Sequence, residues 1–340
     1  MNDIIKGRTA ARYIKALAAT ENRGAAEAYA EATNWLGANK IKDAIGAVAG
    51  TNSPALLAVG ADFMAAVSAR TIAGRILDRV RRLPVNTPVI RQTGKHIASW
   101  VQEGHNIPMS RATFAVDASL PLLKVAGLTA VTKRLAEDYA ADVLLTRDLQ
   151  RVCAVAIDLA FADPGNAGVA DEAPASVFHG ATEIPSSGST AAAFRADFLA
   201  LVAAFNGNLD TAAIVCDTTT ALQIGLMPAT MGSSVIAVGG ESRLMGLPAF
   251  FSDTVPRGDD GGILGLIDLD CIDVVGMDQA ELAISRDATL MMSDNPDTDA
   301  PRPISMWQTN TIGLLASAYA NWRAAPGSAA FISGTDYTGA

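Results

Sequence analysis

Residues 132–163 constrain the chain more than any other segment. Leu145, Leu149, Val152, Ala156 and Leu159 recur at steps of four, three, four and three, which lays one apolar stripe along a helix, and Asp163-Pro164-Gly165 stops it. A long one-sided helix needs a large surface to pack on. The chain has 340 residues, 50% of them apolar and 18% charged, and that is enough to build one. Its 64 alanines point to many closely packed helical turns.

The rest of the pattern mixes both periods. Residues 1–50 read as an Ala-rich helical leader, with Tyr13, Ile14, Leu17 and Ala18 on one face, and the run from Gly46 to Pro54 breaks it. A second helix opens with Ser189 or Thr190 as cap, buries Phe194, Phe198, Leu201, Val202 and Phe205, and ends at Asn206-Gly207. A β-like run from Ala213 to Cys216 precedes a third helix near 218–226. After Gly239-Gly240 come short β-like runs: Leu247 to Ser252, Ile263 to Asp268, Asp273 to Val275, Leu282 to Ser285 and Leu290 to Met292. Ile312, Leu314, Ala316, Ala318, Ala320 and Trp322 then alternate with their neighbours. The predicted fold class is α+β.

Charge is unevenly spread. Between Arg70 and Lys95 stand seven cations and one acid, Asp78, with Pro84, Pro88 and Gly94 favouring extended chain. Residues 253–300 carry twelve acids and only Arg257 and Arg286. Two readings are open: two solvated faces, or a basic arm of one subunit lying on an acidic surface of another. The net charge of −9 argues against a protein that coats nucleic acid.

Catalytic signatures are absent from the sequence. There is no phosphate-cradling Gly-rich loop, no GxSxG and no HExxH. His96, His105 and His179 are not at ligand spacing, and Cys153, Cys216 and Cys271 form no CxxC pair, so neither a metal nor a disulfide framework is expected. Cys153 falls mid-helix, where a buried inert thiol is the usual outcome. The run from Asp294 to Asp299 lacks the glycine and closing Glu of a calcium loop and reads as a solvated turn. Trp100, Trp307 and Trp322 do not interleave with basic residues and read as core or interface packing residues. No apolar run reaches 18 residues and no secretory signal is visible, which predicts a soluble chain in the cytoplasm at synthesis, without a membrane partner.

Four blocks, in order, carry a family resemblance. The first is Trp100-Val101-Gln102-Glu103-Gly104, Ile107-Pro108-Met109-Ser110 and Phe114, followed by Leu123 to Ala130 and Val131-Thr132-Lys133-Arg134-Leu135. Next come Ile157 to Gly165, then Leu244-Met245-Gly246-Leu247-Pro248 with Ser252 and Val255-Pro256, and finally Trp307 to Gly313 with Trp322 through Ile332. Over roughly residues 55–335 the chain resembles the major capsid proteins of tailed bacteriophages and prophages, of the Hong Kong 97 type.

That resemblance implies a shell protein with a helical leader (1–50), an N-terminal arm (51–82) and an extended β-hairpin loop (83–116). A peripheral domain with the spine helix (117–189), an axial domain (190–275) and a peripheral return (276–340) would follow. It implies self-assembly into pentamers and hexamers that enclose double-stranded DNA, with a portal protein, a maturation protease and a scaffold as possible partners. The expected location is the virion, after assembly in the host cytoplasm. No cofactor and no catalytic centre are expected. Arg91, Lys95, Trp100 and Glu103 are the candidate interface residues of the extended loop, each equally compatible with a role within the subunit.

Some relatives crosslink their subunits through a loop lysine. Here His105-Asn106-Ile107-Pro108 stands where one would be expected and no lysine follows Lys133, so no crosslinking is expected. The leader resembles in position a removable scaffolding segment, and an ordered arm retained in the shell is the alternative. An encapsulin-like compartment and an α+β enzyme with an unrecognised site are the competing readings.

Overall fold

The computed structural model describes residues 7–20, 23–33, 35, 38–46, 54–94, 98–103, 105–106, 109, 113–137, 141–227, 242–258, 261–291, 293 and 302–338. Helices α1 (Arg8–Ala19), α2 (Arg23–Ala32), α3 (Ala38–Gly46), α4 (Pro54–Ser68) and α5 (Ile72–Ile76) open the chain. Strand β1 (Arg81–Arg82) and the ribbon β2 (Val89–Gly94) and β3 (Thr113–Asp117) follow, then β4 (Leu123–Thr132), α6 (Lys133–Glu137) and the long α7 (Ala141–Ala162). The second half holds β5 (Thr182–Pro185), α8 (Ala191–Ala204), β6 (Ala212–Asp217), α9 (Thr218–Leu226), β7 (Ser242–Leu244) and β8 (Leu247–Ser252). Strands β9 (Gly262–Asp268), β10 (Ile272–Ser285), β11 (Thr289–Met291), β12 (Pro303–Ser305), β13 (Thr311–Ala324) and β14 (Ala329–Thr335) complete it.

Two large sheets organise these elements, beside the two-stranded pairs β2-β3 and β11-β12. One runs β1-β10-β13-β4, the other β5-β14-β9-β6-β8-β7. The first packs with α1, α4 and α7 around a core containing Phe63, Ile157, Phe161, Leu314 and Trp322. The second surrounds its own core of Phe194, Leu201, Leu264, Leu266 and Ile332 with α8 and α9. Helices α1 and α3 of the expected leader contribute Tyr13, Ile14, Ile41 and Ile45 to the first core.

The expected capping and alternation are present. Thr190 caps α8 by accepting from Ala193 N, and Phe194, Leu201 and Phe205 are buried, whereas Phe198 and Val202 of the expected face are only half-buried. All six alternating residues from Ile312 to Trp322 are buried, and β13 sits between β10 and β4 in the middle of its sheet. Two expectations are corrected. The runs at Asp273 and Leu282 are one strand, β10, carried past its turn-forming residues by a bulge between Gly276 and Ala280 with Gly276 at φ +80°.

The other correction concerns the long helix, which spans Ala141–Ala162 and not the whole of residues 132–163, since Thr132 ends β4 and Lys133–Glu137 form the separate helix α6. The buried row of α7 is Leu145, Leu149, Cys153, Ile157 and Phe161, whereas Val152 and Leu159 of the expected stripe are 49% and 46% exposed. Steps of four follow a ridge that winds around a helix. Here the ridge meets successive partners: Leu149 and Cys153 reach Gly127 of β4, which Val152 also touches from the exposed edge of the row, and Phe161 packs edge-on to Trp322 at 5.4 Å.

Candidate assembly surface

The β2–β3 ribbon stands out because it buries so little. Its register sets Ile90 opposite Val116 and Gln92 opposite Phe114, so alternation puts Ile90, Phe114 and Val116 on one face. They are 66%, 64% and 71% exposed, and Trp100 and Met109 in the distal loop are fully exposed. A two-stranded ribbon is marginal on its own in water, and a contiguous apolar face of this kind marks an interaction surface.

The other face ties the ribbon to its own subunit. Val89 is buried, and Arg91 Nε lies 2.9 Å from Asp117 Oδ2. From Asp117 the charges continue inward. Arg323 Nη2 stands 3.8 Å from the Asp117 carboxylate and 3.3 Å from Asp273 Oδ2, and Arg81 Nε donates to Asp273 Oδ1 at 2.6 Å. Arg323 Nη1 also donates to Ala118 O at 2.8 Å. Three guanidinium groups thus bracket two carboxylates, one of which, Asp273, is buried.

Hydrogen bonds to the backbone fix both legs of the excursion. Leu83 N donates to Val274 O at 2.9 Å, Asn86 N to Leu120 O at 3.0 Å, and the side-chain Nδ2 of Asn321 to Pro121 O at 2.8 Å. The base is held to the β10–β13 sheet while the apolar face stays open.

A second junction joins the two sheets. Asp158 on α7 is buried and accepts from Ile72 N at 2.7 Å and Thr254 Oγ1 at 3.0 Å. Burial pushes its carboxyl up, against the hydrogen bonds of Ile72, Ser252 and Thr254 and the charge of Arg75. Arg75 donates Nη2 to Phe251 O at 2.6 Å, and Arg75 and Arg79 both lie 5.9 Å from the Phe250 ring.

The basic segment therefore meets its own chain. Arg70 reaches Arg147 O, Arg75 and Arg79 hold Phe250, Arg81 pairs with Asp273, Arg82 with Asp78, and Arg91 with Asp117. Arg257 and Arg286, the two cations of the acidic stretch, are also engaged within the subunit: Arg257 bridges Asp217 and Asp336, and Arg286 binds carbonyls of α1. Of the four candidate loop residues, Arg91 is in the ion network, while Trp100 and Glu103 are exposed. Lys95, His96 and the Asp294 to Asp299 run lie outside the described residues.

Sequence reasoning missed the buried carboxylates Asp158 and Asp273. The only signal for Asp158 was its place beside Ile157 on the winding ridge of α7. Nucleophile chemistry finds no support at the thiols: burial pushes Cys153 and Cys271 up to about 11, and Cys216 higher still, so all three stay protonated near neutrality. Among the described residues no group of three metal-ligating side chains converges, and no helix is long and apolar enough to cross a membrane.

Known proteins share this architecture. A profile described as the "Phage capsid family" matches residues 71–318. The "Capsid polyprotein" of Pseudomonas phage PAJU2 is 33% identical over 296 residues, which cover 82% of this chain and 44% of the polyprotein. The chain thus spans less than half the length of that curated relative. Among solved structures, one from Mycobacterium phage Ogopogo has a TM-score of 0.51 at 18% identity, covering 77% of this chain and 91% of the other. The capsid of a native GTA particle gives 0.50 at 15% identity, over 78% and 89% of the two chains. By its sequence this chain belongs to the phage capsid family, and its fold is the Hong Kong 97-type α+β capsid fold.

Proposed function

We propose that the chain works as a major capsid protein, assembling through its extended ribbon into pentamers and hexamers that close an icosahedral shell around phage double-stranded DNA. The observation that carries this reading is the apolar face of Ile90, Phe114 and Val116, held open on a base fixed by the ion network of Asp117 and Asp273. Covering three such side chains contributes about 1.5–3 kcal/mol each before association costs are subtracted. Repeated around a closed ring, such contacts favour assembly without a strong pairwise bond.

The functional work is mechanical in this account. The ribbon of one copy lies over its neighbour, and the rigid base transmits movement between ribbon and sheet. A chain of net charge −9 makes a wall that does not adhere to the DNA it encloses. A portal protein, a scaffold and a maturation protease are the partners such a shell would take.

Electron microscopy and sedimentation of the purified chain test the proposal. Pentamers, hexamers or hollow particles tens of nanometres across are expected. A chain that stays monomeric or dimeric across salt and pH conditions would overturn it.

A further inference from the structure

The first helix is held by residues far from it in sequence. No side chain of its own caps its N-terminus. Instead Asp62 of α4 accepts from Gly7 N at 3.0 Å, Thr9 N at 2.8 Å and Ala10 N at 3.3 Å. At the other end Arg286, in the turn after β10, donates Nη2 to Leu17 O at 3.0 Å and Ala18 O at 2.7 Å. A carboxylate at the N-terminus and a guanidinium at the C-terminus is the arrangement the helix dipole favours.

Between these clamps the seat is imperfect. Gly7 lies against Gln150 of α7, so closely that a Cβ on it would stand 2.3 Å from Gln150 Nε2, and its φ of +82° favours glycine independently. Gln150 Nε2 and, one turn earlier on α7, Thr146 Oγ1 are buried and find no hydrogen-bond partner among the described residues. Buried polar atoms without partners disfavour the closed state relative to one in which water reaches them.

We infer that α1 is a latch, a helix locked at both ends by charges from α4 and the β10 turn, which opens as a unit before α4, α7 and the sheets do. Its two ends join α4 through Asp62, the long helix through Gln150, and the turn after β10 through Arg286. Its opening uncouples the long helix from the β10 turn and exposes Thr146 and Gln150 to water. The inference stands on these contacts alone and does not depend on the capsid reading.

Amide hydrogen exchange on the full chain tests it, with the variants Asp62→Asn, Arg286→Gln and, independent of charge, Gly7→Ala. The amides of residues 8–19 are expected to exchange about tenfold faster in each variant, while those of α7 and β13 keep their wild-type rates. Unchanged exchange of α1 in the clamp variants would overturn the latch. So would acceleration of α7 and β13 by the same factor, because α1 would then belong to one cooperative unit with them.

Discussion

Replacing Asp273 with alanine probes the base on which the ribbon stands. Its side chain is 1% exposed and faces Arg81 and Arg323, whose side chains are 47% and 23% exposed. At contact distances and an effective dielectric constant near 20, each charge pair has a gross attraction of about 5 kcal/mol. Most of that offsets the desolvation of Asp273, and Arg81 recovers water when released, so its share is discounted. Arg323 is left with Asp117 at 3.8 Å as its remaining carboxylate.

The expected loss from Asp273→Ala is about 3 kcal/mol. Urea unfolding of the unassembled chain should show it as a lower midpoint at unchanged slope. Asp273→Asn should lose nearly as much, because it keeps the shape and removes the charge. In double-mutant cycles the coupling to Arg323 should exceed that to Arg81, by about 2 against 1 kcal/mol. A cost below about 1 kcal/mol for Asp273→Ala, or no coupling to Arg323, would refute the reasoning from burial.

Three further outcomes follow from other contacts. Phe114→Asp should leave the unfolding free energy of the unassembled chain within about 0.5 kcal/mol of wild type, since the residue is exposed, yet abolish particles in sedimentation. For Asp158, burial raises the folded pKa above the unfolded value of about 3.9, so this group adds stability as pH falls through its folded pKa toward the unfolded one. Asp158→Asn should therefore flatten that part of the curve of melting temperature against pH, and a curve of unchanged shape would count against the assignment. Tyr337→Phe removes the 2.9 Å hydrogen bond to buried Asp197 and should cost about 1.5–3 kcal/mol in denaturant titration.

Local signals carried much of the architecture. The Thr190 cap, the apolar run of β6 and the alternation of β13 are written in neighbouring residues, and each element forms where its pattern places it. The face of α7 was less legible. Val152, Ala156 and Leu159 fit a helical stripe as well as Cys153, Ile157 and Phe161 do, and only tertiary packing, such as Phe161 against Trp322, decides which row is buried. The partners of the basic segment were invisible for the same reason. Arg81 and Asp273 are 192 positions apart, and a charge count cannot tell a contact within one chain from a contact between two. The candidate surface itself was partly legible: Trp100 and Glu103 lie exposed on the loop, whereas the face of Ile90, Phe114 and Val116 follows from a strand register that no motif states.

The central claim is that the apolar face of the ribbon is covered by a second copy in the assembled state. Hydroxyl-radical footprinting of the same preparation before and after assembly tests it most directly, read at Trp100, Met109 and Phe114. The account predicts strong modification of Phe114 in the free subunit and its protection in particles, with the buried Trp322 unchanged in both. Particles in which Phe114 remains as reactive as in the free subunit would contradict it.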